Sequence, residues 1–246
     1  MSAERGAVEL VLVRHGESVG NLAAAAAAQA GADRLELDTR DADTPLSARG
    51  LEQARALGEW LGALPPDERP DVLWCSPYDR ARQTAETALA TAGFDVPRRI
   101  DERLRDRELG ITDRLTTSGI ARLLPEEAAR RALLGKFYYR PPGGESWADV
   151  ALRLRSVLAD VDRREDGRCV LVVTHDAVIA LVRYVLEDLT ETQLFDLVRE
   201  RSVRNASVTI LTRGGDAWTT SRFDDVAHLA ALDAPVTEHE GTDPHE

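Results

Sequence analysis

Residues 8–21, VELVLVRHGESVGN, decide how the rest of the chain is read. Val8–Val13 is short, apolar and rich in β-branched residues, the composition of a buried strand. It gives way at once to Arg14-His15-Gly16-Glu17-Ser18, a polar stretch with a glycine that ends the strand. The Ala-rich stretch Leu22–Ala30 then has high helix propensity. Strand, polar turn and helix form the first half of a βαβ unit, and the same alternation recurs downstream.

A polar, acidic loop is expected over 31–45. Ser47 precedes a helical pattern that puts Leu51, Ala54, Leu57, Trp60 and Leu61 on one face, ended by Pro65-Pro66. Val72–Cys75 reads as a second strand. Ser76-Pro77 reads as the N-cap and first residue of a helix that reaches about Ala92, where Gly93 stops it. Residues 96–100 suggest a third strand, and Ser146–Arg163 a long amphipathic helix. Cys169–Val173 is a continuous apolar run, as in a central parallel strand buried on both faces. A helix follows from about Asp176 to Glu187. Ser207–Thr212 and Trp218–Phe223 pair as a closing hairpin with Gly214-Gly215 at the turn. The pattern predicts an α/β fold, a three-layer sandwich around a mostly parallel central sheet. One domain is expected over 1–233, with an irregular, arginine-rich insertion at about 104–145. The tail 234–246, rich in Glu, His, Asp and Pro, is expected to be disordered.

Bulk properties narrow the partners. The chain has 246 residues and a formal charge of −12, so nucleic acid and anionic membranes are poor principal partners. Any anion site must be locally positive against that background. Cys75 and Cys169 lie in apolar, strand-like runs and read as small buried hydrophobes rather than a disulfide pair. The first apolar run is too short for a signal peptide, and no segment approaches the roughly 20 apolar residues of a membrane span. A soluble cytoplasmic protein is expected, and nothing in the sequence specifies its oligomeric state.

Parallel α/β sheets bind ligands beyond the carboxyl ends of their strands. After the first strand come Arg14, His15 and, slightly later, Asn21; after the second, Ser76 to Arg80; after the central strand, Thr174-His175-Asp176. Two histidines and two arginines therefore converge on one edge, at helix starts whose free N–H groups favour anions. Planar guanidinium groups clamp phosphoryl oxygens two at a time. A neutral imidazole can attack phosphorus in line while the arginines stabilise the transition-state charge. The sequence has no acidic cluster of Mg²⁺ type and no Gly-x₄-Gly-Lys loop. No metal and no cofactor are expected.

LVLVRHGESVGN at 10–21, SPYDRARQTAE at 76–86 and LVVTHDAVI at 171–179 resemble, in this order, three motifs of the histidine phosphatase superfamily, in its phosphoglycerate-mutase-like branch. PPGGES at 141–146 resembles a segment common in the phosphatases of that branch. The resemblance runs from about residue 8 to 212. It implies that His15 is the phosphorylated nucleophile and that Arg14, Arg80, His175 and Asn21 bind the phosphate. The family places a Glu proton donor in a Leu-x-Glu context ahead of a glycine. Leu104-Arg105-Asp106-Arg107-Glu108-Leu109-Gly110 puts Asp106 there, one methylene shorter. Asp176, beside His175, and Glu108 remain alternative donors.

The resemblance implies a metal-independent phosphatase acting on a small phosphate monoester. A phosphoglycerate-type mutase is the alternative, but the mutase segment is replaced by RDRELGITDRLTTSG at 105–119, and Arg130-Arg131 only faintly echoes that group's arginine pair. An inactive binding module of the same fold is a further alternative; it would be expected to lack one of the two histidines or two arginines. In the insertion, Arg105, Arg107, Arg114, Lys136 and Arg140 could bind a second anionic group, and Tyr138, Tyr139 and Trp147 could wall the leaving group.

Overall fold

The computed structural model describes residues 6–200 and 202–238. Its first strand, β1 (Glu9–Arg14), is followed by α1 (Val19–Ala30). Ser18 caps α1 through a reciprocal capping box with Asn21, and Gly31 ends it in the left-handed region at φ 60°. Ser47 caps α2 (Ala48–Ala63) by accepting from the Gly50 amide. β2 (Val72–Cys75) and α3 (Asp79–Ala92) come next. The Ser76-Pro77 expectation needs correction: α3 begins two residues later, Tyr78 is its N-cap residue, and no side chain bonds there. Ser76 is free of capping because its hydroxyl lies 2.8 Å from the ring of His175.

β3 (Arg98–Ile100) precedes the insertion, which carries α4 (Thr117–Leu123) and α5 (Pro125–Tyr138), kinked at Gly135. The chain then runs through α6 (Trp147–Arg164), β4 (Cys169–Thr174), α7 (Asp176–Leu186) and α8 (Glu191–Glu200). It closes with β5 (Val208–Gly214), β6 (Ala217–Asp225) and α9 (Ala227–Ala231). Periodicity in the sequence did not expose α8 and α9. The closing hairpin turns at Gly215-Asp216, because Gly214 still pairs with Ala217.

The six strands lie in the order β3-β2-β4-β1-β5-β6. The first four are mutually parallel, and β5 and β6 are added antiparallel. Because alternate side chains leave opposite faces of a strand, β1 supplies Leu10 and Leu12 to one core and Val11 and Val13 to the other. The first core packs under α6 and α7, including Leu154, Val157, Ile179 and Leu181. The second packs under α2 and α3, including Leu57, Leu61, Ala85 and Leu89. Helix, sheet and helix form the three expected layers.

The tail departs from expectation as far as it is described. Residues 234–238 lie along the body: Gln53 Nε2 donates to Pro235 O and to Thr237 Oγ1, both at 2.8 Å, and Asn205 N donates to Thr237 O at 3.2 Å. Ala234 packs on a small core of Ala56, Ala206 and Leu229. Buried amide partners hold a segment whose composition alone suggested disorder. The rest of that expectation, 239–246, lies outside the described residues.

Candidate active site

Sheet register assembles the site. β1 pairs with β4 up to Arg14↔Thr174, and the His15 amide continues the ladder to Thr174 O at 2.9 Å. β2 pairs with β4 up to Cys75↔Val173, and the Ser76 amide donates to Val173 O at 3.0 Å. His15, Ser76 and His175 are thus each the next residue after a strand end, on three adjacent strands. The two imidazole rings stand 5.2 Å apart, edge to face.

His15 is 3% exposed. Its Nδ1 lies 2.7 Å from the carbonyl of Gly16, so that nitrogen carries the proton. Its Nε2 accepts from Arg80 Nε at 3.2 Å, so the lone pair faces the guanidinium. Burial, then Arg80, His175 and Arg14, hold the His15 pKa well below its ordinary value. The ring is therefore neutral at pH 7, in the tautomer that leaves Nε2 nucleophilic. Close backbone packing sets the loop: a Cβ on Gly50 would stand 2.0 Å from Glu17 O, and one on Gly16 2.6 Å from Gly50 O. Only glycines allow this approach.

His175 is fully buried, and burial followed by Arg80, Arg153 and Arg14 lowers its pKa well below the ordinary value. Ser76 Oγ accepts from the Tyr78 amide at 3.3 Å and lies 2.8 Å from His175 Nε2. The Ser76 hydroxyl thus engages Nε2 and leaves Nδ1 as the ring's other polar atom. That Nδ1 is buried and has no hydrogen-bond partner among the described residues. It stands 3.3 Å from Asp106 Oδ2, outside hydrogen-bond alignment.

Arg80 is 4% exposed and binds on all sides. Beyond His15, its Nη2 donates to Asp106 Oδ2 at 3.1 Å. Its Nη1 and Nη2 also meet Oδ1 and Oδ2 of Asp41 at 3.0 and 3.2 Å. Against the penalty of burial, Asp41 and then Asp106 raise its pKa. The Arg80 guanidinium lies 4.9 Å from the centre of the Tyr78 ring. Arg14 is 3% exposed and donates to Val203 O. Asn21 Oδ1 is engaged in the capping box, receiving the Ser18 amide at 3.0 Å, so any phosphate contact falls to its Nδ2.

The structure separates the three candidate proton donors. Asp106 touches Arg80 and lies beside His175. Asp176 Oδ1 accepts from the Ala177 amide at the start of α7. Glu108 accepts from the Tyr78 hydroxyl at 3.0 Å and pairs with Arg105 at 3.4 Å. Most of the other charged candidates in the insertion are spent locally. Arg105 pairs with Glu145, Arg140 with Asp149, and Arg114 donates to Leu37 O and Thr39 O. Lys136 stands over the Trp147 ring. Tyr139 bonds Glu127, Tyr138 bonds Glu191, and Trp147 is core. Arg107 differs: it has no ion pair among the described residues, and burial and then Arg131 lower its pKa. It lines a cavity of about 290 Å³ together with Arg40, Asp41, Tyr78, Glu108 and Asp113.

Three residues that the sequence did not single out organise the site. Asp41 arrives from the 31–45 loop. Arg153 donates to Asp106 O at 3.0 Å and pairs with Glu145, fixing the segment that carries Asp106. Asn205 Nδ2 donates to His15 O at 3.2 Å. None of them sits in a distinctive local pattern; contacts distant in sequence define them. Among the described residues no group of three or more His, Cys, Asp or Glu side chains could hold a metal, and no helix is long and apolar enough to cross a membrane.

Several known proteins are similar to this chain. The metal-independent phosphoserine phosphatase of Arabidopsis thaliana is 27% identical over 236 residues, covering 94% of this chain and 87% of that protein. The 6-phosphofructo-2-kinase/fructose-2,6-bisphosphatase of Aquarana catesbeiana is 33% identical over 184 residues; this is 74% of the chain but only 33% of that longer protein. The structure of a mycobacterial glucosyl-3-phosphoglycerate phosphatase with VO3 superposes with a TM-score of 0.70 at 30% identity, covering 89% of this chain and 100% of that one. The sequence profile of the histidine phosphatase superfamily (branch 1) matches residues 10–226. With its two histidines and two arginines gathered at the strand ends, the chain belongs to branch 1 of the histidine phosphatase superfamily.

Proposed function

We propose that this protein hydrolyses a small phosphate monoester, without a metal, through a phosphohistidine at His15. The observation that carries the reading is the state of His15: neutral, with Nδ1 tied to Gly16 O and the Nε2 lone pair facing Arg80. A phosphoryl group enters between them. Arg14, Arg80, His175 and Asn21 Nδ2 take its outer oxygens. Nε2 forms the N–P bond as the P–O bond to the leaving oxygen breaks, and the Asp106 carboxyl, in its protonated form, gives its proton to that oxygen. Water then attacks phosphorus and the Asp106 carboxylate takes its proton. The N–P bond breaks, releasing inorganic phosphate and restoring His15.

The arginine clamp supplies the positive charge that a cation supplies elsewhere. The Arabidopsis relative, metal-independent by name, supports this. Arg107, which makes no ion pair among the described residues, fits a leaving group that carries its own negative charge. Two unpaired thiols, Cys75 and Cys169, fit a reducing cytoplasm. Turnover of an aryl phosphate, quenched in denaturant, should trap acid-labile, base-stable phosphate on His15, with activity unaffected by EDTA. No trapped phosphate, or activity lost on chelation and restored by Mg²⁺ or Zn²⁺, overturns the reading.

A further inference from the structure

The Gly16–Glu17 peptide unit meets His15 on one side and Gln53 on the other. Its carbonyl accepts the Nδ1 proton of His15 at 2.7 Å, and its N–H donates to Gln53 Oε1 at 2.8 Å. Gln53 therefore holds the acceptor that orients the His15 ring. Gln53 is fully buried, and a side-chain amide is fixed in one sense only when its two ends have different partners. Here they do. Nε2 donates to Pro235 O and to Thr237 Oγ1, both at 2.8 Å, which leaves Oε1 to face the Glu17 N–H.

Thr237 joins a second arm to the same loop. Its hydroxyl accepts from Gln53 and donates to Asn205 Oδ1 at 3.2 Å, and its carbonyl accepts from the Asn205 amide at 3.2 Å. With Oδ1 occupied, Asn205 turns Nδ2 to His15 O at 3.2 Å and to Asn21 Oδ1 at 3.4 Å. One hydroxyl thus orients two side-chain amides, and those amides grip the carbonyl of His15 and the peptide that follows it. A hydroxyl donates and accepts at once; a methyl group of the same size does neither.

We infer that segment 234–238 is a positioning element for the nucleophile, with Thr237 acting through Gln53 and Asn205 to hold the backbone that orients the His15 ring. This rests on the hydrolytic reading for its kinetic consequence and not for the contact itself. In-line attack is sensitive to orientation: a misplacement of about 1 Å can cost roughly 10²-fold. Phosphate binding depends instead on the guanidinium groups of Arg14 and Arg80, which are held by Val203 O and by Asp41 and Asp106.

The test compares Thr237→Val, which keeps the shape and removes the hydroxyl, with Thr237→Ser, which restores it. The first readout is hydrogen exchange at His15 Nδ1, followed by NMR. In Thr237→Val this proton should exchange roughly 10-fold faster than in the wild type, the scale of one hydrogen bond. The Leu12 amide, in the middle of the sheet, should keep its wild-type rate. The second readout is phosphoenzyme formation in a single turnover, which should slow by roughly 10-fold while the inhibition constant of inorganic phosphate moves by less than about threefold. Thr237→Ser should restore both. Gln53→Met, which removes the middle link, should show the same split. Wild-type exchange and rate in Thr237→Val overturn the proposal. So does a joint loss of rate, phosphate affinity and Leu12 protection, which would mean that the segment supports only the fold. The parent reading fails differently: if the Nδ1 proton exchanges faster in Thr237→Val while neither protein traps phosphate on His15, hydrolysis through a phosphohistidine is wrong and the positioning contact stands.

Discussion

Nε of Arg80 lies 3.2 Å from Nε2 of His15, so the guanidinium covers the ring's lone pair. A phosphoryl group must enter this contact, and the same N–H then passes from nitrogen to a phosphoryl oxygen. Arg80→Lys keeps the charge but loses the planar fork. It should lower kcat/KM on an aryl phosphate by roughly 10²-fold, within the range for losing a transition-state donor. His15→Ala should lose at least about 10³-fold. Steady-state rates with circular dichroism as a folding control decide both; near wild-type rates in either variant contradict the assignment.

Asp106 stands 3.1 Å from Arg80 and 3.3 Å from His175, whereas Asp176 serves the start of α7. An alkoxide leaves poorly without a proton, and a nitrophenolate leaves readily. Asp106→Asn should therefore cost about 10²–10⁴-fold on an alkyl phosphate and far less on nitrophenyl phosphate. Asp176→Asn should give a smaller loss, equal on both. The reverse pattern would move the donor to Asp176.

The loop that carries His15 depends on Gly50, where a Cβ would stand 2.0 Å from Glu17 O. Gly50→Ala should cost at least about 2 kcal/mol, since backbone atoms must move to admit the methyl group. Denaturant unfolding measures the loss. A variant as stable as the wild type would mean that the loop gives way freely.

Acid should destabilise the fold before carboxylates titrate. Burial, first among the causes, lowers the pKa of His15 and His175 well below 6.5 and that of His228 to about 4. The unfolded chain takes up these protons near pH 6.5 while the folded chain does not. Stability is thus full above pH 6.5 and falls as the pH drops through that value, by roughly 1.4 kcal/mol per histidine per pH unit. Asp41, raised chiefly by burial, opposes part of the loss by gaining its proton in the folded state. Melting temperatures from pH 7.5 to 5 should decline below 6.5, and His228→Gln should flatten the slope. A flat profile in the wild type contradicts the buried-neutral assignment.

The strands and the three strand-end motifs were legible because each is local: an apolar run followed at once by a polar turn. His15, Arg80 and His175 converge because parallel register is nearly determined once strand ends are known. Asp106 was legible only through family resemblance, and the structure puts it in contact with Arg80. Asp41, Arg153 and Asn205 were not legible, because each acts on a residue tens to hundreds of positions away. The cap at Ser76 was misread for a related reason: Ser-Pro after a strand usually starts a helix, but here a tertiary contact with His175 claims the hydroxyl. Residues 234–238 were misread because composition speaks for the isolated segment and not for the amides of Gln53 and Asn205 that receive it.

The sheet order has a consequence for biosynthesis. β1 leaves the ribosome before either of its neighbours, since it lies inside the sheet between β4 and β5, and Glu9 is 160 positions from its partner Cys169. An apolar strand therefore stays bare on both edges until β4 is made. Such non-local pairing slows folding and exposes strand edges to other chains. Nascent chains released before β4 would carry His15 without the ladder that positions it, so they should be bound by chaperones and inert. The pocket forms only when β4 inserts between β1 and β2, bringing His175 to His15 in the same step.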